Sequence, residues 1–201
     1  MTTITFGRET EKITKMIHKK MPALGIIIWD LTPFIPLLHN WRKNIIFIEC
    51  DRVAVDSLVE LLAKKYSNYE IYAGIKKPLL RIRLVERKAS IVIIAREGKT
   101  RREVEGAHPK LEKCLVDLLY YSKNEILPIS LNDVLGLWEH YLTATDLVKF
   151  NELYRYSLRR YLGWFVSVFA YCISKKTTIK IDERHSKQGM KNLELLKLVS
   201  A

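Results

Sequence analysis

The stretches Gly25-Ile-Ile-Ile-Trp29 and Asn44-Ile-Ile-Phe-Ile-Glu49-Cys50 decide the fold class of this chain. Each is short and rich in β-branched residues, and each begins with a residue that disfavours regular structure, Gly25 or Asn44. These features are typical of buried strands. Apolar residues fill successive positions rather than alternate ones, so both faces of the strands are expected to be covered. Helices on the two sides of a sheet provide such cover, and the sequence therefore predicts an α/β core.

Helices and further strands are predicted around these two stretches. Amphipathic helices are expected over residues 7–21 and after Asp51, because apolar residues recur there at helical spacing. Tyr69–Ala73 and Ser90–Ala95 are predicted as two more strands. Residues 74–88 are compatible with a strand or a helix, since alternating apolar residues favour a strand but a proline interrupts them. Residues 1–98 are thus predicted to form the α/β core around a central sheet.

The sequence changes character after residue 95. Residues 96–106 are polar and contain two glycines, which indicates a loop or a protruding arm. Beyond them apolar residues recur at helical spacing, so residues 99–174 are predicted to be a helical subdomain packed on the core. Residues 175–201 are expected to be a flexible basic tail with a short helix near residues 192–199. The predicted class is α/β, or α+β, with a C-terminal helical subdomain.

Composition and charge limit the functional classes. The 201-residue chain is 48% hydrophobic and 28% charged, which suffices for a buried core. No run approaches the ~20 apolar residues needed to span a bilayer, and the N-terminus lacks signal-peptide features, so a cytoplasmic protein without a membrane role is expected. The net charge of +12 predicts attraction to nucleic acid or acidic partners, although a lysine-rich solubilising composition gives the same charge.

Motifs for nucleophilic, zinc-dependent or nucleotide-dependent catalysis are missing from the sequence. It contains no His-Glu-x-x-His, no Gly-x-Ser-x-Gly and no phosphate-binding loop. Cys50, Cys114 and Cys172 are far apart and each lies in an apolar run, which indicates buried hydrophobic residues rather than zinc ligands or disulfides. No cofactor is therefore expected, apart from Mg²⁺ if the chain is a nuclease.

Three carboxylates near the ends of the first two strands form the one candidate catalytic and metal site. If these strands are neighbours, Asp30, Glu49 and Asp51 would lie at one end of the sheet, where Mg²⁺ could support phosphodiester hydrolysis. The pattern approaches the Asp…(Asp/Glu)-x-Lys signature of restriction-endonuclease-like nucleases, but Asp51 occupies the position of the lysine. We favour a structural interpretation in which Asp51 caps a helix, Glu49 pairs with a basic neighbour such as Arg52 and Asp30 ends a strand. A metal-dependent nuclease with a degenerate site is the alternative.

Two basic clusters are the predicted binding surfaces for nucleic acid or a partner protein. They comprise Lys99, Arg101 and Arg102 in the glycine-flanked loop and Arg155, Arg159 and Arg160 on a helix. Tyrosines interleave with the second cluster, and arginine with aromatic side chains can bind phosphates, stack on bases or form protein hot spots. The alternative is a solvated helix face whose tyrosines pack at the edge of the core.

Several collinear segments resemble the antitoxin proteins of AbiEi-type (type IV) toxin–antitoxin systems. These segments are Ile28–Asp30, Asn44–Glu49 with Asp51–Asp56, Lys76–Pro78, His108–Asp117 and Leu153–Arg160. His108-Pro-Lys-Leu-Glu-Lys-Cys-Leu-Val-Asp117 is similar to a Pro-Thr-Leu-Glu-Lys-x-Leu-Val-Asp helix of the family. Leu153-Tyr-Arg-Tyr-Ser-Leu-Arg-Arg160 is similar to its Leu-x-Arg-Tyr-Ala-x-Arg-Arg helix. The resemblance covers residues 10–160.

The resemblance implies a restriction-endonuclease-like core without a working active site and a nucleotidyltransferase-type toxin as partner. Family members usually carry an N-terminal winged helix that binds their own promoter. This sequence begins almost at the core, so promoter binding by that route is not expected. The expected function is that of a non-catalytic, antitoxin-like or defence-associated regulatory protein that binds a partner protein, DNA or RNA. Glu112 and Asp117 are predicted to be structural residues that tie the two halves together.

Overall fold

A four-stranded mixed sheet forms the centre of the computed structural model, which describes residues 4–39, 41–73, 84, 89–95, 104–105, 107–143, 147–176 and 183–199. Its strands are β1 (Ile27–Asp30), β2 (Ile45–Cys50), β3 (Glu70–Ala73) and β4 (Ser90–Ala95), in the spatial order β1-β2-β4-β3. β1 runs antiparallel to β2, whereas β2 and β3 both run parallel to β4. All four strands were expected from the sequence, and the predicted α/β class with following helices is confirmed.

Helices account for most of the remaining described residues. They are α1 (Arg8–Lys20), α2 (Val55–Lys65), α3 (Leu111–Lys123), α4 (Leu131–Thr143), α5 (Phe150–Arg159), α6 (Gly163–Lys176) and α7 (Glu183–Val199). Short 3-10 turns cover Ile35–Leu37 and Arg52–Ala54. None of the helices among the described residues has the length and apolar character that a membrane crossing requires. Within residues 74–88 the described position is Leu84, which is helical and buried, and the choice between strand and helix for the others lies outside the described residues.

The two faces of the sheet carry different apolar clusters. Along β2, Ile46 and Ile48 face α1 and α2, while Ile45 and Phe47 face the C-terminal helices. This alternation follows from the two-residue period of a strand. The first cluster includes Ile13, Ile17, Leu58, Leu62 and Ile91, and the second includes Trp29, Val92, Leu115, Trp138 and Leu153. The sheet is therefore the middle of three layers, and Glu49 points into the layer shared with the C-terminal helices.

A two-residue strand lies at the start of the segment, His108–Asp117, that resembles a helix of the AbiEi-type antitoxins. His108–Pro109, β6, pairs with Val104–Glu105, β5, instead of opening the helix. The adjoining backbone is held extended beside β1, because the N–H of Ile28 donates to the carbonyl of Ala107 at 2.8 Å. The ring nitrogen Nδ1 of His108 lies 2.9 Å from the carbonyl oxygen of Ile28. The helix consequently begins two residues after the proline.

The C-terminal helix α7 is longer than the sequence indicated. It begins at Glu183, within the segment expected to be flexible, and it packs against α6. Among the described side chains, this contact includes small and polar groups: Nδ2 of Asn192 donates to Oγ of Ser167 at 2.7 Å, and Gly189 approaches the backbone of Ser167. Hydrophobic periodicity does not detect such a contact, which explains why the early part of the helix was missed.

Replacing Gly189 and Gly136 by alanine should have opposite effects on stability. A Cβ at position 189 would overlap the Ser167 carbonyl and lie 2.8 Å from Cβ of Tyr171, so Gly189→Ala is expected to lower the free energy of unfolding by about 1–3 kcal/mol. A Cβ at position 136, on the exposed face of α4, meets nothing within 4 Å. Gly136→Ala should therefore stabilise the chain by about 0.5–1 kcal/mol. Urea unfolding followed by circular dichroism measures both, and equal effects would contradict the close contact between α6 and α7.

Candidate functional site

Four charged side chains and a tyrosine form a cluster between the sheet and the C-terminal helices, called here the buried charge cluster. Lys113 Nζ pairs with Oε1 of Glu49 and, at 2.5 Å, with Oδ2 of Asp117. The other oxygen of Asp117, Oδ1, accepts hydrogen bonds from Nε of Arg160 at 2.9 Å and from the hydroxyl of Tyr156 at 3.0 Å. Lys113 and Asp117 have no exposed surface and Glu49 is 3% exposed. Two anions and two cations balance each other in this arrangement.

One strand and two helices place the five members of the buried charge cluster. Lys113 and Asp117 are four residues apart on α3, so both project from the same helix face toward β2. Arg160 lies at the C-terminal end of α5, and its guanidinium carbon is 4.9 Å from the ring centroid of Tyr120 on α3. The cluster therefore joins one strand and two helices.

The pKa shifts in the buried charge cluster are those of a structural network. Burial lowers the pKa of Lys113, but the carboxylates of Asp117 and Glu49 outweigh burial and hold it well above the ordinary lysine value. Burial also raises the pKa of Glu49, and the Lys113 ammonium opposes this shift. The pKa of Tyr156 is raised by burial and by the Asp117 carboxylate. Lys113 therefore stays charged and Tyr156 stays a hydrogen-bond donor at neutral pH, so neither is tuned for proton transfer near pH 7.

The three carboxylates of the predicted catalytic and metal site do not converge. The register of the antiparallel strands β1 and β2 pairs Asp30 with Ile46 and Glu49 with Ile27. The C-terminal ends of the two strands therefore lie at opposite ends of the sheet. Asp30 contacts α1 whereas Glu49 contacts α3, and Asp51 is exposed beyond β2. The prediction that these carboxylates share one end of the sheet is wrong.

Asp30 organises the N-terminal segment instead of a metal site. Its Oδ2 accepts hydrogen bonds from the N–H of Gly7 at 2.8 Å and from the hydroxyl of Thr10. Its Oδ1 accepts the N–H of Thr32 at 2.7 Å. Across the described residues, no group of three or more histidine, cysteine and acidic side chains is arranged to hold a metal ion.

The partners of Glu49 and Asp51 differ from those expected. Arg52 is exposed, and Glu49 pairs with Lys113, which comes 64 positions later in the chain. Asp51 precedes the 3-10 turn Arg52–Ala54, but its side chain makes no capping hydrogen bond to that turn.

Glu112 and Asp117 make structural contacts within the C-terminal helices, whereas the direct ion pair to the sheet is made by Lys113 with Glu49. Asp117 links Lys113 to Arg160 within the buried charge cluster. Glu112 Oε1 accepts the backbone N–H of Lys149 at 2.8 Å, at the N-terminal cap of α5. Both side chains therefore fix α5 against α3.

The arginines predicted as a contact helix have three different environments. Arg160 belongs to the buried charge cluster, and Arg155 pairs with Glu152 one turn earlier on α5. Arg159 is exposed. The second predicted cluster, Lys99, Arg101 and Arg102, lies outside the described residues. Of Arg155, Arg159 and Arg160, Arg159 is therefore the most exposed.

A row of cations on α1, called here the α1 basic face, was not recognised from the sequence. Arg8, Lys12, Lys15 and Lys19 recur at helical spacing and are all exposed. Lys12 pairs with Glu9 at 2.6 Å. The signal was present in the sequence, because these basic residues follow the same helical period as the apolar residues of the opposite face. At 1.5 Å per residue the row is about 17 Å long.

A family model matches residues 4–168 of this chain, and its description is a family of unknown function, DUF6577. The chain belongs to this family. No curated protein and no solved structure matches it. The range that matches DUF6577 includes the sheet, the α1 basic face and the whole buried charge cluster. Helix α7 lies beyond that range.

Removing the lysine of the buried charge cluster should strongly destabilise this DUF6577 chain. Lys113→Met leaves the carboxylates of Glu49 and Asp117 buried without their cation, and the expected loss is about 3–5 kcal/mol of unfolding free energy. The control is Arg155→Met, which breaks the more exposed pair with Glu152 and should cost less than about 1 kcal/mol. Urea titrations at neutral pH compare the two. Similar losses would show that the cluster does not hold the layers together.

The same DUF6577 chain should lose stability above about pH 10. Lys113 and Tyr156 have raised pKa values in the folded state, so the unfolded chain releases these protons first, from about pH 10. Their contribution is complete below that pH and declines as the pH rises. Tyr156→Phe should flatten this decline in melting temperature between pH 9 and pH 11, whereas Tyr161→Phe, at an exposed tyrosine, should not. A profile that Tyr156→Phe leaves unchanged would contradict the assignment.

Proposed function

We propose that this chain is a non-catalytic regulatory protein of the antitoxin-like kind and that it binds nucleic acid through the α1 basic face. The observation that carries the proposal is the row of four exposed cations on one helix of a chain whose net charge is +12. Long-range attraction of this sign favours polyanions. The resemblance to AbiEi-type antitoxins supports a regulatory role and suggests a nucleotidyltransferase-type toxin as a protein partner.

The chemical character of the α1 basic face favours a nucleic acid over a protein as its ligand. Lysine and arginine side chains provide most contacts to phosphate groups, and such contacts need no apolar surroundings. Protein interfaces, in contrast, are built around an apolar centre. The exposed large hydrophobic side chains among the described residues are Val53, Leu158, Tyr161, Trp164 and Met190, and all lie outside α1. The face is thus suited to a phosphate backbone.

A metal-dependent nuclease is the second candidate, and one observation favours it. Lys113 lies beside Glu49, so a lysine missing from the sequence motif is supplied by α3. The geometry opposes the idea on two counts, since both side chains are buried and Asp30 lies on the other face of the sheet. A pocket beside Lys113 and Tyr156 has room for about one water molecule, which is too small for a phosphodiester.

Charge reversal on α1 tests the nucleic-acid proposal. Lys15→Glu with Lys19→Glu should weaken binding to a labelled 30-base-pair duplex at least about tenfold and reduce the salt slope of log K by about two, as expected for two lost phosphate contacts. The matched control is Lys123→Glu with Lys149→Glu, which changes the net charge equally at exposed positions of α3 and the α5 cap. Fluorescence anisotropy at several salt concentrations measures both. If both double variants lose the same binding affinity, the change in net charge alone explains the effect. That result would refute the assignment of binding to the α1 basic face.

Two further measurements separate the remaining possibilities. Arg159→Glu tests α5 as a nucleic-acid contact without disturbing Arg160, whose reversal would disrupt the buried charge cluster. A cleavage assay on plasmid and single-stranded DNA with Mg²⁺ or Mn²⁺ tests the nuclease alternative. Cleavage that Glu49→Gln abolishes would overturn the non-catalytic proposal.

A further inference from the structure

The connection between α5 and α6 presents an unusual concentration of exposed apolar side chains. Leu158 is 52% exposed, Tyr161 90% and Trp164 43%. These three side chains fall within seven consecutive positions, and Arg159, also exposed, lies among them. Leu158, Arg159, Tyr161 and Trp164 are called here the α5–α6 corner. Tryptophan, tyrosine and arginine are the residues enriched at the energetic centres of protein interfaces.

The backbone of the α5–α6 corner is held in one conformation by a Schellman motif. The N–H of Leu162 donates to the carbonyl of Ser157 at 2.9 Å, and the N–H of Tyr161 donates to the carbonyl of Leu158 at 3.1 Å. Leu162 is buried and anchors the turn in the core. The absence of a side chain at Gly163 lets the Leu158 side chain lie across it, where a Cβ would overlap. The exposed side chains are thus presented by a rigid turn.

Tyr161 occupies the position of this motif where glycine is favoured. Its φ of 56° is in the left-handed region, which is unfavourable for a side chain that carries a Cβ. The tyrosine gains little within the chain, since its side chain is almost entirely exposed. Glu125 repeats the geometry at the end of α3, with φ 55° and the same pair of hydrogen bonds, but it presents a charged side chain. Strain and exposure of an aromatic ring therefore coincide at Tyr161.

Charge and composition indicate what covers the α5–α6 corner. A second copy is disfavoured, because a two-fold contact would bring Arg159 near its own copy and set two chains of charge +12 against each other. A stacked single strand would use the aromatic rings but not Leu158, whose aliphatic side chain offers no π-face. A protein with an apolar cleft accommodates all three apolar side chains, and carboxylates at the rim of that cleft complement Arg159.

We propose that the α5–α6 corner is the docking surface for a protein partner that presents an apolar cleft rimmed by carboxylates. Tyr161 and Trp164 are the anchors, Leu158 completes the apolar contact and Arg159 contacts the acidic rim. This surface is separate from the α1 basic face, so the inference stands whether or not the chain binds nucleic acid.

Tyr161→Gly and Glu125→Gly form a matched pair for testing this docking surface. Each substitution relieves the left-handed strain of one Schellman motif, so both variants should unfold at or above the temperature of the wild-type chain. Loss of binding in Tyr161→Gly therefore cannot be attributed to misfolding. The probe is a phage library of random peptides, selected on the full chain and counter-selected on Tyr161→Gly.

The selected peptides should combine apolar residues with aspartate or glutamate. Synthetic versions are expected to bind Tyr161→Gly at least about thirty-fold more weakly than wild type, the loss typical of a hot-spot residue, and to bind Glu125→Gly normally. Arg159→Ala should weaken the binding of the acidic peptides. This loss of affinity should be larger at low salt concentration, where charges are less screened. Peptides that bind wild type better than Tyr161→Gly but lack acidic residues would contradict the proposed carboxylate rim of the partner. If the selection enriches no peptide at all, the α5–α6 corner is not a docking surface.

Two control measurements exclude the other occupants. Labelled oligo(dT) should bind wild type and Tyr161→Gly equally, and a specific loss in the variant would assign the corner to single-stranded nucleic acid instead. The sedimentation coefficients of wild type and Tyr161→Gly should be identical. A dimer that dissociates in Tyr161→Gly would mean that a second copy covers the corner, contrary to the proposal.

Discussion

Lys113 lies between the carboxylates of Glu49 and Asp117, fully buried between the sheet and the C-terminal helices, and the arrangement of the layers depends on this contact. A charge removed from water must find partners of opposite sign, and here those partners come from β2 and from α3 itself. Apolar burial is non-directional, whereas ion pairs depend on the position of each charged group. The ion pairs permit one position, because both carboxylates lose their cation in any other.

The carboxylates of α3 also fix the position of α5. Asp117 uses its second oxygen for Arg160 and Tyr156, while Glu112, on the preceding turn of α3, holds the N-terminal cap of α5. Both ends of α5 are thus tied to α3 by carboxylates. The turn that follows α5 therefore has a fixed position, and so do the side chains that it presents to solvent. The surface at the α5–α6 corner depends, through this chain of contacts, on charges inside the protein.

The apolar runs of β1, β2 and β4 were enough to predict these three strands, because a strand covered on both faces is recognisable without knowing its neighbours. The direction of each strand is not encoded in such a run. Asp30 and Glu49 were for that reason assigned to one end of the sheet, whereas antiparallel pairing separates them. The partner of Glu49 was equally inaccessible, since Lys113 is 64 residues away. Glu112 and Asp117 were predicted to have structural partners because carboxylates within an apolar helix segment require them, but those partners lie on α3 and α5 and at the ends of α5 rather than on the sheet.

The aromatic residues near the end of α5 have two different roles. Arg160 was expected at the surface because tyrosines surround it in sequence, yet its guanidinium lies beside the rings of Tyr120, Tyr121 and Tyr156 and pairs with Asp117. Tyr161 makes no such contribution, and its backbone conformation is one that glycine would adopt at lower energy. Stability of the isolated chain would favour glycine there, just as it would at Glu125. A charged side chain at Glu125 is compatible with water, whereas an exposed aromatic ring in a strained turn is best explained by a contact outside the chain.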